Sequence, residues 1–139
     1  MTKAIHEFIG SGSRHKLIVC PSELDGLSYT DIGKSLSLKI KSESTASKIS
    51  LIAQSELEKI MNDSLREHSE IREYIAIKNL GILLEPNLKL DITAFFSRYS
   101  ASNPLFIHWE GDMKRNKLHF LTAENGVTIN LDNISHIIA

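Results

Sequence analysis

The sequence has few of the residues that mark specialised classes of protein. It holds one cysteine, three prolines and seven glycines in 139 residues, and aromatic residues make up 6%. The single cysteine, Cys20, excludes an internal disulfide framework and agrees with a reducing compartment. No apolar run approaches the roughly 18 residues of a membrane-spanning helix, and the first ten residues lack the apolar stretch of a secretory signal. We therefore expect a cytoplasmic protein without a membrane segment.

An excess of charge of one sign is also missing. Sixteen Lys and Arg residues stand against seventeen Asp and Glu residues, which gives a net charge of -1. This balance argues against strongly electrostatic binding of nucleic acid or anionic membranes, although it leaves room for a local basic patch. Apolar residues at 42% and charged residues at 24% are typical of a soluble globular protein. We expect a single domain over residues 1–139.

Strand-like and helix-like segments alternate along the chain. Leu17–Cys20 is a continuous apolar run ended by Pro21, which is typical of a strand buried on both faces of a parallel sheet. Further strands are predicted at 29–32, 74–77, 104–109, 117–121 and 127–131. Helices are predicted at 1–8, 34–40, 46–68 and 92–99. The alternation indicates an α/β fold with a partly parallel central sheet and flanking helices.

The ends of several elements carry signals of their own. Ser44 or Thr45 is available to cap the helix at 46–68, and Asp91 is available to cap the helix at 92–99. Residues 111–116 indicate a polar turn, and Asn125-Gly126 between two strand-like runs predicts a C-terminal antiparallel hairpin. We expect this hairpin to add strands at one edge of the sheet. Residues 134–138 fit either a short helix or an edge strand.

The segments that would hold a nucleotide lack the required residues. A phosphate loop needs glycines, a lysine and a hydroxyl, but residues 21–27 hold one glycine, two acids and no lysine. Gly33-Lys34-Ser35 lacks the glycine expected five residues earlier, so a helix start is favoured there over the alternative of nucleotide binding. Hydrolytic ATPases place an acid at the end of a second buried strand, where this chain has Lys78. Lys78 is either an anion contact or a solvated lysine.

Metal and nucleophile motifs are also missing. The six histidines show no H-x-x-x-H or H-x-E spacing, and no G-x-S-x-G occurs. His108 and His119 lie on neighbouring predicted strands, as a structural or a catalytic pair. Cys20 is most simply a small core residue, and caps or solvated charges explain the carboxylates Asp31, Glu85 and Asp91. We therefore predict no catalytic, cofactor-binding or metal-binding residue, and no cofactor.

One small basic cluster is a candidate contact for nucleic acid or another anion. Lys114, Arg115 and Lys117 lie in the predicted turn after Trp109, close to aromatic side chains, as in grips on a single strand. Lys78 is the fourth candidate. Three charges in a turn are also common as plain solubilising residues.

Five stretches of the chain resemble a known family. Residues 77–91, IKNLGILLEPNLKLD, resemble the second-strand region of BrxF, a family of small P-loop proteins from BREX phage-defence systems. The other matching stretches are Phe96-Ser97-Arg98-Tyr99 in the following helix, Trp109-Glu110-Gly111 at a strand end, Leu118-His119-Phe120 and residues 29–37. The resemblance as a whole spans most of residues 16–122.

The resemblance implies a reduced P-loop-like sandwich, but the chain departs from the family where the nucleotide would bind. About nine residues separate Val19 from Tyr29, too few for a phosphate loop and the helix that follows it. Lys78 takes the acidic position of the family, whereas Asn79 is kept. The resemblance therefore implies a degenerate relative without ATP hydrolysis, and none of the nucleotide-contacting residues of the family carries over.

Three functional hypotheses follow. The leading one is a non-enzymatic accessory or scaffold subunit that binds a protein partner, in a bacterial or phage-derived defence cassette. Its docking surface is expected at exposed apolar residues, namely Leu80, Ile82, Leu83 and Trp109, or at the edge strand of the terminal hairpin. The second is a small nucleotide- or nucleic-acid-binding module that uses the four basic residues. The third is a small enzyme built around His108, His119 and a carboxylate.

Overall fold

The centre of the protein is a parallel sheet of five strands. The computed structural model describes residues 1–43, 48–121 and 126–139. In spatial order the strands are β2 (Thr30–Asp31), β4 (Arg72–Lys78), β5 (Leu105–His108), β1 (Leu17–Cys20) and β9 (His136–Ile138). A short strand, β3 (Arg66–His68), pairs antiparallel with the start of β4. The predicted α/β fold with a parallel central sheet is confirmed.

Helices and a second sheet complete the described fold. The helices are α1 (Lys3–Ile9), α2 (Ile32–Glu43), α3 (Ile49–Asp63) and α4 (Ile92–Ser102), with short 3-10 turns at Gly81–Leu84 and Pro86–Leu88. The second sheet is antiparallel, in the order β6 (Asp112–Lys114), β7 (Lys117–Leu121) and β8 (Gly126–Asn130). No helix within the described ranges is long and apolar enough to cross a membrane.

The direction of the connections decides what covers each face of the central sheet. Parallel crossovers are right-handed, so connections that advance across the sheet lie on one face and the one that runs back lies on the other. Three connections advance across the sheet. The connection from β2 to β4 carries α2 and α3, the one from β4 to β5 carries α4, and the one from β5 to β9 carries the second sheet. These elements pack on Leu17, Val19, Ile77 and Ile107. The return from β1 to β2 is a loop of residues 21–29. This loop and α1 pack on the opposite face.

The long central helix is shorter than predicted. α3 ends at Asp63, and residues 66–68 form β3 instead of a last helical turn. Ser64 closes the helix by donating its backbone N–H to Met61 O, and Arg66 then pairs with Tyr74 of β4. Pairing with a strand distant in sequence therefore overrides the local helical pattern. The predicted caps Ser44 and Thr45 lie outside the described residues.

The C-terminal region differs most from expectation. The hairpin of β7 and β8 forms a sheet of its own instead of extending the central sheet, whose edge is β9, a parallel neighbour of β1. The predicted polar turn at 111–116 contains β6, and the turn itself is Arg115-Asn116, both with positive φ. The Asn125 of the predicted turn lies outside the described residues. Residues 134–138 take the edge-strand alternative.

Candidate functional site

The carboxyl ends of four parallel strands place ionisable residues in one row. The register aligns Asp31 with Lys78, Ile77 with Ile107, and His108 with Cys20. In open α/β sheets this edge is where ligands usually bind. The row is therefore a candidate site for ligand binding.

Charged groups in this row are bonded to one another. The Lys78 ammonium lies 3.3 Å from a carboxylate oxygen of Glu23, in the loop that follows β1. Asp31 Oδ1 accepts the backbone N–H of Lys34 at 2.8 Å and the side-chain amide of Asn79 at 2.9 Å. The N–H of Lys34 is the main cause that holds the pKa of the Asp31 carboxyl below its usual value. Asp31 therefore serves as the cap of α2, and Lys78 has an anion partner within the protein.

The loop of residues 21–29 directs backbone donors toward tyrosines. Ser28 N–H donates to the Tyr74 hydroxyl at 2.9 Å, and Leu24 N–H donates to the Tyr29 hydroxyl at 3.1 Å. A phosphate cradle needs such N–H groups to point at the ligand. In this loop, the N–H groups of Leu24 and Ser28 already donate to tyrosine hydroxyls and are not free for a ligand.

Cys20 is buried at the end of β1. Burial raises the pKa of its thiol to about 11, so it stays protonated at neutral pH. Only the thiolate is an effective nucleophile. The position fits the predicted role as a small core residue.

The two histidines of the third hypothesis do not lie on neighbouring strands. His108 ends β5 of the central sheet, whereas His119 lies on β7 of the second sheet, with Nδ1 3.1 Å from Thr128 Oγ1. A small cavity of about 50 Å³ adjoins His108, Trp109 and Phe120. Among the described residues, no group of three or more His, Cys, Asp or Glu side chains could hold a metal ion.

The apolar residues predicted as a docking surface are mostly core residues. Leu80, Leu83 and Trp109 are each exposed by 5% or less, and Ile82 is half-buried. The Trp109 indole also donates to the His119 carbonyl at 3.3 Å, which ties β5 to the second sheet. The expectation of exposure was wrong because these side chains fill the space between the central sheet, α2 and the second sheet.

The basic candidates fall on two different sheets. Lys114, Arg115 and Lys117 are exposed at the tip of the β6–β7 hairpin, whereas Lys78 is half-buried and ion-paired on the central sheet. Lys114 and Lys117 are direct cross-strand partners. The three hairpin residues therefore lie together, whereas Lys78 lies on a different sheet.

A cleft between α3 and α4 was not predicted from the sequence. Its volume is about 330 Å³, within the usual range for binding sites. The lining is partly apolar, and consists of Gln54, Leu57 and Glu58 from α3, with Leu90, Asp91, Ala94, Phe95, Arg98 and Tyr99. A depression of about 390 Å³ at the β3–β4 hairpin, in contrast, has only polar and charged lining residues.

Two features mark the cleft chemically. Arg98 forms an ion pair with Glu58 across it at 2.9 Å and lies 5.2 Å from the centre of the Tyr99 ring. The Tyr99 hydroxyl is buried and has no hydrogen-bond partner among the described residues. Burial raises the pKa of this hydroxyl. The charge of Arg98 lowers this pKa, and the charge of Glu58 raises it. The hydroxyl therefore lies near the ion pair, screened from water.

The exposed apolar side chain of Leu51 continues this surface. Leu51 is 66% exposed and precedes Gln54 and Glu58 by three and seven residues on α3. Residues at these spacings share one helical face. The only sequence signal for this surface was a leucine on a polar helix face, which is common by itself.

Comparison with known proteins gave no match. No family model matches the chain, no curated protein is similar to it, and no solved structure resembles it at a significant level.

Proposed function

We propose that the protein is a non-catalytic accessory or scaffold subunit of the cytoplasm that binds another protein through the α3–α4 cleft. The observation that carries the proposal is this partly apolar cleft, with a buried tyrosine hydroxyl that lacks a hydrogen-bond partner among the described residues. A buried polar group without a hydrogen bond is costly, and such groups are rare in folded proteins. A partner that enters beside the Glu58–Arg98 ion pair and displaces the side chains that cover this hydroxyl would supply the missing bond.

The dimensions of the surface indicate the form of the partner. Leu51 and Glu58 are seven residues apart on α3, which corresponds to about 10 Å along the helix. Two apolar side chains at positions i and i+7 of a partner helix have the same separation, as in other helix-in-groove complexes. The proposed partner segment therefore places one large apolar side chain in the cleft and another on Leu51.

The residues at the carboxyl edge of the sheet support the non-catalytic part of the proposal. Lys78 forms an ion pair with Glu23, and Asp31 accepts a hydrogen bond from Asn79. The thiol of Cys20 is buried. Catalytic groups need access to a substrate. These contacts give the same groups structural roles.

The test uses four variants in matched pairs. Ala94→Trp fills the cleft, whereas Thr93→Trp adds the same bulk at an exposed neighbouring position outside it. Leu51→Asp puts a charge beside the cleft, whereas Leu38→Asp changes a similarly exposed leucine of α2 that does not line it.

Partners captured from the native host are purified and titrated against each variant. The proposal expects a partner that binds the wild type and both control variants, and that binds Ala94→Trp and Leu51→Asp at least tenfold more weakly. A partner that binds all five proteins equally would refute the cleft as the docking site. Failure to capture any direct partner would refute the proposal as a whole.

The setting in a BREX-like defence system is part of the proposal and rests on the resemblance of residues 77–91 and 96–99 to BrxF. The gene neighbourhood tests it. Genes for a DNA methyltransferase and a large phosphatase-like protein nearby would support this setting. A neighbourhood without them would refute the defence role. The docking role of the cleft would still be tested by the four variants described above.

A further inference from the structure

The second sheet has one apolar face and one polar face. Side chains alternate along its strands, so Met113, Leu118, Phe120 and Ile129 share the face that packs on the core. The opposite, outer face carries mainly hydrogen-bonding and basic side chains, namely Asp112, Lys114, Lys117, His119, Thr128 and Asn130. Asp112 is the one carboxylate among the described residues of that face.

Positive charge is concentrated at one corner of this outer face. Lys114 and Lys117 are direct cross-strand partners, and Arg115 lies in the turn between them. All three side chains are exposed, and none of them forms an ion pair with another described residue. Like charges that face each other across a hairpin are unfavourable unless an anion offsets them.

The backbone of the turn holds these charges in a fixed arrangement. Arg115 and Asn116 have φ values of 48° and 63°, the left-handed conformation at both central positions of a two-residue hairpin turn. Asparagine and glycine are the usual residues there, and arginine gains nothing locally from this conformation. An arginine in a strained position, between two opposed lysines, is better explained by what it binds than by the turn itself.

We propose that the outer face of the second sheet, centred on Lys114, Arg115 and Lys117, binds the phosphodiester backbone of a nucleic-acid duplex. Three cations on one short hairpin match the repeated negative charge of a duplex backbone. The side-chain amide of Asn130, whose Oδ1 accepts the N–H of Asp132, can donate its own N–H groups to a phosphate oxygen beside Lys117. The described residues of the outer face include no Phe, Tyr or Trp on which unpaired bases could stack, and the imidazole of His119 is half-buried and hydrogen-bonded to Thr128. A duplex therefore fits better than a single strand. This surface does not depend on the α3–α4 cleft.

The mode of binding predicts its salt dependence. Three phosphate contacts give a slope of log K against log salt of about -2.7, because each contact contributes about -0.9. Binding to a labelled mixed-sequence DNA duplex of about 20 base pairs should therefore weaken about 40-fold between 50 and 200 mM KCl. The measurement is fluorescence anisotropy on the full chain.

A charge-matched control separates the hairpin from general electrostatics. The test variant changes Lys114, Arg115 and Lys117 to Gln, and the control variant changes the exposed Lys3, Lys59 and Lys89 to Gln. Both variants have the same net charge. The expected result is at least a tenfold loss for the hairpin variant and less than a twofold loss for the control. The single change Lys117→Gln should reduce the slope by about one unit.

Four results would overturn the proposal. One is no binding of the duplex by the wild type at 25 mM KCl. Another is an equal loss of affinity in the hairpin and control variants. A third is displacement of the duplex by polyglutamate at equal charge concentration, which would assign the surface to an acidic protein. The fourth is tighter binding of a single strand than of a duplex, which would reject the duplex as the ligand.

Discussion

Two tyrosines allow a direct test of the idea that the α3–α4 cleft is incomplete in the isolated protein. Tyr99 has a buried hydroxyl with no partner among the described residues, whereas the buried Tyr74 hydroxyl accepts the N–H of Ser28 at 2.9 Å. Replacement of each by phenylalanine removes one oxygen atom and leaves the ring in place. The two variants should therefore change stability in opposite directions.

The expected magnitudes follow from the hydrogen bonds. An unsatisfied buried hydroxyl costs about 1–3 kcal/mol, so Tyr99→Phe should raise the free energy of unfolding by about 1 kcal/mol. Tyr74→Phe leaves the N–H of Ser28 without its acceptor and should lower the free energy of unfolding by about 1 kcal/mol. With a urea m-value of about 1.5 kcal/mol/M, each change moves the unfolding midpoint by about 0.7 M.

Urea unfolding followed by circular dichroism measures both changes, with the slope m as the check that the denatured state is unaltered. If Tyr99→Phe lowers stability as much as Tyr74→Phe does, the Tyr99 hydroxyl has a partner in solution and the reasoning fails. If the reasoning holds, Tyr99→Phe should also bind the protein partner more weakly although the isolated chain is more stable. Opposite effects on stability and binding are typical of residues kept for function.

Three further predictions concern the fold around these surfaces. Asp31→Ala removes the cap of α2 and the bond to Asn79, and should cost about 1 kcal/mol in urea unfolding, with Asp31→Asn losing less. Gly111→Ala places a Cβ against the backbone carbonyl of His119, and should cost about 3 kcal/mol; a loss below 1 kcal/mol would mean that this backbone moves freely. Burial lowers the pKa of His15, so near the usual histidine pKa the unfolded chain binds a proton that the folded chain does not. The His15 contribution to stability should therefore be complete above about pH 6.5 and shrink below it, and His15→Gln should remove that part of the fall.

Several elements could be predicted because their signals are local. The apolar run of Leu17–Cys20 alone indicates a strand covered on both faces, and all four of its residues are buried. Asp91 before an apolar repeat predicts the start of α4, and its carboxylate accepts the N–H of Ala94 as a cap does. The short interval between Val19 and Tyr29 excludes a phosphate loop with its helix, and the structure has a loop there.

The tertiary structure decided which residues reach the surface and which segments pair. The apolar side chains of Leu80, Leu83 and Trp109 fit a docking surface by sequence alone, but they are buried in the core together with residues of α2 and of the second sheet. Residues 66–68 continue a helical pattern, but pairing with β4 makes them a strand. In each case the deciding contact comes from a part of the chain distant in sequence.

The two candidate surfaces, the basic hairpin and the α3–α4 cleft, also depend partly on local sequence and partly on tertiary packing. The sequence determined that Lys114, Arg115 and Lys117 are close together, because they are neighbours in the chain. Only the fold placed the two lysines opposite each other on the outer face of a separate sheet, and only the packing of α3 against α4 left a cleft beside Tyr99. The order of residues along the chain determines which side chains are near neighbours and how the apolar ones repeat. Which side chains are exposed, and which distant groups meet, depends on how the faces of the helices and sheets pack.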